Sequence, residues 1–273
     1  MKRHASFKVK SSFGIACCRV NSKKEVEILL VCKRYTYAYC EFVNFNYNVN
    51  SDNEVINLCK KMTLDEKIDI LSMNYQQIWY RIWTNNSNYQ LFMQKKNQFD
   101  SIYLCDNGVR LRKLVTQTLS SNADRIWEIP KGRRDDKTES NLVCAIREFY
   151  EETGIKKRFY TLLHEVGFNN NYTEGGVMYK NKYFLAHAQD NLDIKKFITI
   201  NQLNEISDMR WMTYSKIKAI DNNNRLLPLC RVLFKKYKTL MGMRPGNIDK
   251  MIFAKPNPQT RVQTPVQTPV QKL

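Results

Sequence analysis

Glu148, Glu151 and Glu152 place three carboxylates at i, i+3 and i+4 of one short segment, and that spacing constrains everything around it. On a helix the three side chains leave from one face, while Leu142, Ile146 and Phe149 form an apolar stripe on another. Like charges held this close destabilise a helix unless a cation neutralises them. Hard carboxylate oxygens suit Mg²⁺ or Mn²⁺, which take a few such ligands, keep several waters and accept phosphate oxygens in the remaining positions. Gly154 follows the glutamates where a helix C-cap is expected, and Gly132 opens a loop dense in charge. A solvated acidic face is the bland alternative. It leaves unexplained Arg147, Glu139, the two glycines and the lead-in Trp127-Glu128-Ile129-Pro130-Lys131-Gly132.

The segment from Gly132 to Ile155 resembles the Nudix box, G-x5-E-x7-R-E-U-x-E-E-x-G-U, where U is a bulky apolar residue. Every fixed position from Glu139 onward is matched, through Arg147, Glu148, Glu151, Glu152, Gly154 and Ile155. One extra residue lies between Gly132 and Glu139, and it should shift Gly132 while leaving the glutamates undisturbed. Further segments are similar to the viral mRNA-decapping branch of that family, giant-virus members included. They are Lys33-Arg34-Tyr35, Trp79-Tyr80-Arg81-Ile82-Trp83, Cys144-Ala145-Ile146-Arg147-Glu148-Phe149, and Asn204-Glu205-Ile206 with Trp211, in order along most of residues 10–240.

This resemblance implies an α/β fold, the Nudix α/β/α sandwich with a mixed sheet, interrupted by a mostly helical insertion. It also implies metal-dependent hydrolysis of a diphosphate linkage. In that scheme Glu148, Glu151 and Glu152 hold Mg²⁺ or Mn²⁺, and one of them, or Glu205, accepts the proton of the attacking water. Arg147 orients a box glutamate, with Glu139 its candidate partner, and Gly132, Glu139 and Gly154 serve the structure of the box. For the decapping branch the implied partner is capped mRNA, cut to m⁷GDP and a 5′-monophosphate RNA, so that host and viral messages turn over. The implied location is the cytoplasm of the infected host cell, with packaging in the virion as a further option. Two other readings stay open: a Nudix hydrolase of diphosphoinositol polyphosphates or nucleoside diphosphate derivatives, and a non-catalytic RNA-binding protein.

Composition agrees with a polyanionic substrate. The chain carries 44 basic and 26 acidic residues, a formal charge of +18, and a field of that sign recruits nucleic acid by counterion release. The excess lies at both ends and around the box, whereas residues 36–122 are near balance. Lys8, Lys95, Lys96, Lys131, Arg133 and Arg134 are the candidate phosphate and RNA contacts, joined by Lys10 and Lys137. Lys131, Arg133 and Arg134 flank Gly132 and should sit beside metal-bound phosphates. A cationic m⁷G base stacks well on aromatic rings, and Tyr37, Phe42, Trp79, Trp83 and Phe168 are candidates, although the helical spacing of Trp79 and Trp83 suits a core equally well.

The eight cysteines are scattered without a C-x-x-C pair, as expected of reduced thiols and not of zinc ligands or a disulfide framework. Met1-Lys2-Arg3-His4 leads into polar residues, and no apolar run approaches membrane-spanning length, so no secretory segment or membrane insertion is expected. Strands are expected at Phe13 to Val20 and Val26 to Lys33 as a hairpin, at Trp127 to Pro130, and at Tyr160 to Val166, Val177 to Ala186 and Met209 to Thr213. Helical spacing covers Val55 to Met62, Leu64 to Met73 and Tyr75 to Trp83, with a capping box at Thr63 and Glu66, and a closing amphipathic helix covers Asn223 to Leu240. These readings divide the chain into a first hairpin (residues 1–35), a helical insertion that is the RNA-binding candidate (36–120), the remainder of the catalytic domain with the box at 132–155 (121–240), and a basic, Pro-Thr-Gln-rich disordered tail (241–273).

Overall fold

The computed structural model describes residues 8–83, 88–119, 125–163, 167–174, 176–189, 192–221 and 225–243. Most of the tail expected beyond 240 lies outside these residues. The expected hairpin forms as β1 (Lys8–Val20) and β2 (Val26–Lys33), antiparallel and paired from Cys18 with Ile28 to Val20 with Val26. Side chains alternate across a strand, so Phe13, Ile15 and Cys17 enter one apolar layer while Ala16 and Cys18 enter the other.

Among the described residues six helices follow: α1 (Tyr37–Val43), α2 (Asp52–Lys60), α3 (Leu64–Ser72), α4 (Tyr75–Ile82), α5 (Tyr89–Phe99), continued by a π-helical turn at Asp100–Leu104, and α6 (Val109–Thr116). Their own core is rich in aromatic side chains, with Tyr39, Phe42, Tyr75, Trp79, Phe99 and Tyr103 buried together. Thr63 and Glu66 form the expected capping box on α3. Glu66 also accepts the Thr36 amide at 2.6 Å and the Thr36 hydroxyl at 2.8 Å, which fastens α3 to the start of α1.

The chain then returns to the sheet through β3 (Trp127–Glu128) and β4 (Lys131–Gly132). After these come α7 (Asn141–Thr153), β5 (Tyr160–Leu162), β6 (Phe168–Glu174), β7 (Val177–Ala188), α8 (Ile200–Glu205), β8 (Ile206–Thr213), α9 (Tyr214–Ile220) and α10 (Leu226–Leu240). The main path of the sheet runs β3-β2-β1-β7-β5, with β4 on β1, β6 on β7 and β8 on β2. Only β1 and β7 pair in parallel; the other pairings among the described residues are antiparallel. One face packs on α7 through Cys144, Ala145 and Phe149. The other packs on α9 and α10 through Ile217, Leu233 and Phe234. The result is a mixed α/β/α sandwich interrupted after its first hairpin by helices.

β6 was not expected. Its sequence, Phe-Asn-Asn-Asn-Tyr-Thr-Glu, lacks apolar alternation, and pairing with β7 from Phe168 with Tyr183 to Glu174 with Val177 supplies the order that its own side chains do not. The strand expected from Tyr160 ends at Leu162, and residues 164–166 lie outside the described set.

Candidate active site

Ser140 caps α7 by accepting the Val143 amide at 3.2 Å, and Gly154 ends it in the left-handed region at φ 70°, donating to the Tyr150 carbonyl. A Cβ at Gly154 would overlap the Phe197 carbonyl, so two independent reasons require glycine there. Between these caps α7 buries Cys144, Ala145, Phe149 and Thr153, and with them the box residue Glu152, while Glu148 and Glu151 lie on its more open side.

Arg147 organises that face. It grips Glu139 through Nε at 2.9 Å and Nη2 at 3.0 Å, a bidentate pair. Nη2 also donates to the Arg133 carbonyl at 2.8 Å, and Nη1 donates to Glu148 at 3.1 Å and Glu151 at 2.9 Å. The Arg147 hydrogen bonds hold the Glu139 carboxyl below its ordinary pKa. The loop ahead of α7 absorbs its extra residue in a turn closed by Asp136, which accepts the amides of Thr138 at 2.6 Å and Glu139 at 3.1 Å. That extra residue was expected to shift Gly132. Gly132 lies directly against Glu148, where a Cβ would overlap the carboxylate.

Glu152 is 1 % exposed and turns inward to an ion pair with Lys33 at the end of β2. It also accepts the Lys131 amide at 3.2 Å. Burial pushes its carboxyl up to about 7, against the pull of Lys33. Lys33 also approaches Glu128 at 3.5 Å, Glu128 pairs with Lys131, and Tyr37 of α1 donates to Glu128 at 2.9 Å. Glu128 is also buried, but Lys131 and Lys33 outweigh the burial and keep its pKa low. A chain of charges thus runs from the helical insertion to the box helix. Glu148 is raised by burial, which the Arg147 cation opposes, while the Glu151 and Glu205 carboxylates add to the rise. That influence brings Glu205, exposed at the end of α8, into the electrostatic neighbourhood of Glu148. Gln202 of the same helix ties α8 to α7 by donating to the Glu151 carbonyl at 3.1 Å.

The NUDIX domain family model matches residues 99–230. The mRNA-decapping protein g5R of African swine fever virus, isolate Pretoriuskop Pr4, is 33% identical over 81% of this chain and 90% of its own. That of isolate KEN-50 is 35% identical over 80% and 91%. A protein of Acanthamoeba polyphaga mimivirus is 29% identical over 72% of this chain and 61% of its own.

The chain belongs to the Nudix family of hydrolases.

Nudix hydrolases work with divalent metal ions, and the residues present fit one. A single cationic atom, Arg147 Nη1, already stands between Glu148 and Glu151, so positive charge is what this point accommodates. The donors around it are hard oxygens, the ligand type of such cations. Among the described residues no three acidic, thiol or imidazole groups converge into a ready-formed cage, and a cation competes with Arg147 and Lys33 for the same carboxylates.

The remaining candidates lie apart. Lys131 has its side chain only 13% exposed and committed to Glu128, while Arg133 is exposed in the box loop. Arg134 donates to Asn141 and covers the Phe13 ring at 5.0 Å. Lys8 is exposed at the start of β1. Lys95 and Lys96 sit on α5, the first 5.7 Å from the Phe45 ring and the second paired with Asp100 at 2.5 Å. Phe42 and Trp79 are core residues, and Trp83 packs on Trp79 at 4.3 Å. Tyr37 is 53% exposed and Phe168 half-buried. All eight cysteines are free, and burial pushes the Cys144 thiol up to about 12.

Sequence reasoning missed the roles of Lys33 and Glu128. The Glu128-x-x-Lys131 spacing was a local clue to one ion pair, whereas nothing local marks Lys33 as a partner of Glu152. It also missed a cleft of about 570 Å³ beside Lys33, where Arg34 after β2, Arg125 before β3 and Ser207 of β8 face Asp65 and Asp69 of α3 and Arg81 of α4. No described helix is long and apolar enough to cross a membrane.

Proposed function

We propose that this chain removes the cap from mRNA, hydrolysing the cap diphosphate linkage with Mg²⁺ or Mn²⁺ to release m⁷GDP and a 5′-monophosphate RNA. The observation that carries this reading is the position of Glu148, held against Gly132 and sharing Arg147 Nη1 with Glu151, in a chain a third identical to mRNA-decapping proteins along most of its length.

Water attacks such a linkage in line, and the negative charge that develops on the leaving oxygen must be met as it forms. A bound divalent cation would supply that compensation and make the attacking water more acidic. Glu148, Glu151 and Glu152 would hold it, with Arg147 and Glu139 fixing the face from which they reach. Glu205, close enough to Glu148 to influence its ionisation, or a box glutamate takes the proton. The cleft beside Lys33 gives the cap nucleotide room, with Arg34 and Arg125 as cations for phosphates and Asp65 as a carboxylate for a cationic base, Asp69 being paired with Arg81. In this reading residues 1–35 and 121–240 form the catalytic domain, 36–120 help bind RNA, and the enzyme acts in the cytoplasm of the infected host cell.

Cap-labelled RNA incubated with either metal tests the proposal: labelled m⁷GDP is the expected product. No release from RNA, together with cleavage of free cap dinucleotide or a diphosphoinositol phosphate, moves the activity to small substrates. No release from any of them leaves an RNA-binding protein.

A further inference from the structure

The register of the sheet carries the surroundings of the box outward to residues beyond the box itself. Phe13 of β1 pairs with Gly132 of β4 and with Lys182 of β7, and Lys182 pairs in turn with Asn169 of β6. Residues paired across a sheet share a face, so Lys182 and Asn169 project on the side where Phe13 packs and α7 lies. Two strand spacings of about 4.8 Å put the Lys182 backbone roughly 10 Å from Gly132. The next row outward on the same face is Ser11, Lys180 and Asn171, and all three are exposed.

Arg134 fills the space between this row and the box, since its guanidinium lies over the Phe13 ring that Lys182 flanks. The stem of Lys182 is guided into place: a Cβ at Gly167 would come within 2.7 Å of its Cγ and Cε, and its ammonium stands 5.6 Å from the Phe184 ring. Lys33, Lys96 and Lys131 are each ion-paired. Among the described residues neither Lys180, which is exposed, nor Lys182, which is partly exposed, meets a carboxylate. β6, which among the described residues pairs only with β7, contributes amide side chains where a core strand would present apolar ones.

We propose that Lys182 and Lys180, continuing from Arg134 and flanked by Asn169 and Asn171, form a track for the phosphates of the RNA body downstream of the scissile linkage. Unpaired cations and amides in a row suit a single strand bound through its backbone, without sequence readout. The proposal rests on the capped-RNA reading and deepens it, because it names the surface on which the polynucleotide leaves the site.

Binding of a 5′-monophosphate RNA to full-length protein carrying Glu151→Gln, followed by fluorescence anisotropy across a salt series, reads the track without turnover. Adding Lys180→Glu and Lys182→Glu should weaken affinity by at least about tenfold and reduce the slope of log K against log salt by about 1.4, two single-strand phosphate contacts at about 0.7 each. The same charge change at Lys235 and Lys236, exposed on α10 against the opposite face, should cost less than about twofold. Equal losses from the two double variants, or none from the first, would overturn the track. Circular dichroism checks folding, and Lys180→Gln with Lys182→Gln replaces the reversals should they unfold the hairpin. Salt-dependent binding at these lysines in an enzyme that releases no m⁷GDP would sink the proposed activity and leave the track standing.

Discussion

Lys33 and Glu152 form a buried ion pair across 119 residues of sequence, joining the end of β2 to the box helix. A charge buried this deeply needs its partner: removing one member of such a pair costs about 3–5 kcal/mol when the other stays ionised. Lys33 also reaches Glu128, so the pair anchors the wider network that extends through Tyr37 to the insertion.

Lys33→Met should therefore destabilise the protein in a pH-dependent way. The Glu152 carboxyl is raised to about 7 in the folded chain, so the folded state holds this proton more tightly than the unfolded one. Its contribution favours folding at acid pH and is lost as pH rises through about 7. Without Lys33 the carboxyl rises further, and the loss grows on the alkaline side. Thermal melts of both proteins at acid and alkaline pH check this; an equal drop in Tm at both would count against the pair.

Activity at fixed metal concentration should fall as pH drops through about 7, because a protonated Glu152 cannot serve as a ligand. Raising the metal concentration should move that limb to lower pH, since cation and proton compete for one carboxylate. A pH-rate profile at two Mn²⁺ concentrations decides it, and an immobile limb removes Glu152 from the ligand set.

Gly132→Ala should lower kcat by at least about 100-fold while the fold persists, because the new methyl group displaces Glu148 and small misplacements of a reacting constellation carry costs of that size. The readouts are turnover and far-ultraviolet circular dichroism.

Arg147→Gln should lower the Tm of the metal-free protein through loss of charged hydrogen bonds to Glu139, Glu148 and Glu151. Added Mg²⁺ or Mn²⁺ should raise its Tm more than it raises that of the wild type, since a cation then takes over a charge the arginine supplied. Equal increments would separate Arg147 from the cation site.

Glu205→Gln should reduce kcat without weakening metal binding, whereas Glu151→Gln should reduce both. Turnover combined with Mn²⁺ titration checks the contrast. A loss of metal affinity in Glu205→Gln would make that residue a ligand.

The capping box at Thr63 and the C-cap at Gly154 were legible because a helix end is decided by a few neighbouring residues. The β1–β2 hairpin was legible from two apolar runs and the turn between them. β6 was not, because three consecutive asparagines carry no periodicity and only the partner strand orders them. Lys131 illustrates the same boundary within the site. Its place beside the box was readable, and its commitment to a buried Glu128 was not.

The sequence by itself determined that Glu148, Glu151 and Glu152 share one helix face and that Arg147 lies within reach of them, because spacing along a helix is a local property. Tertiary structure decided that Lys33 neutralises Glu152, that Gly132 presses on Glu148 and that Lys182 lies in the same sheet row as the box glycine. Those relationships depend on which strands pair and which charges are buried together, and pairing and burial join residues that the chain itself keeps far apart.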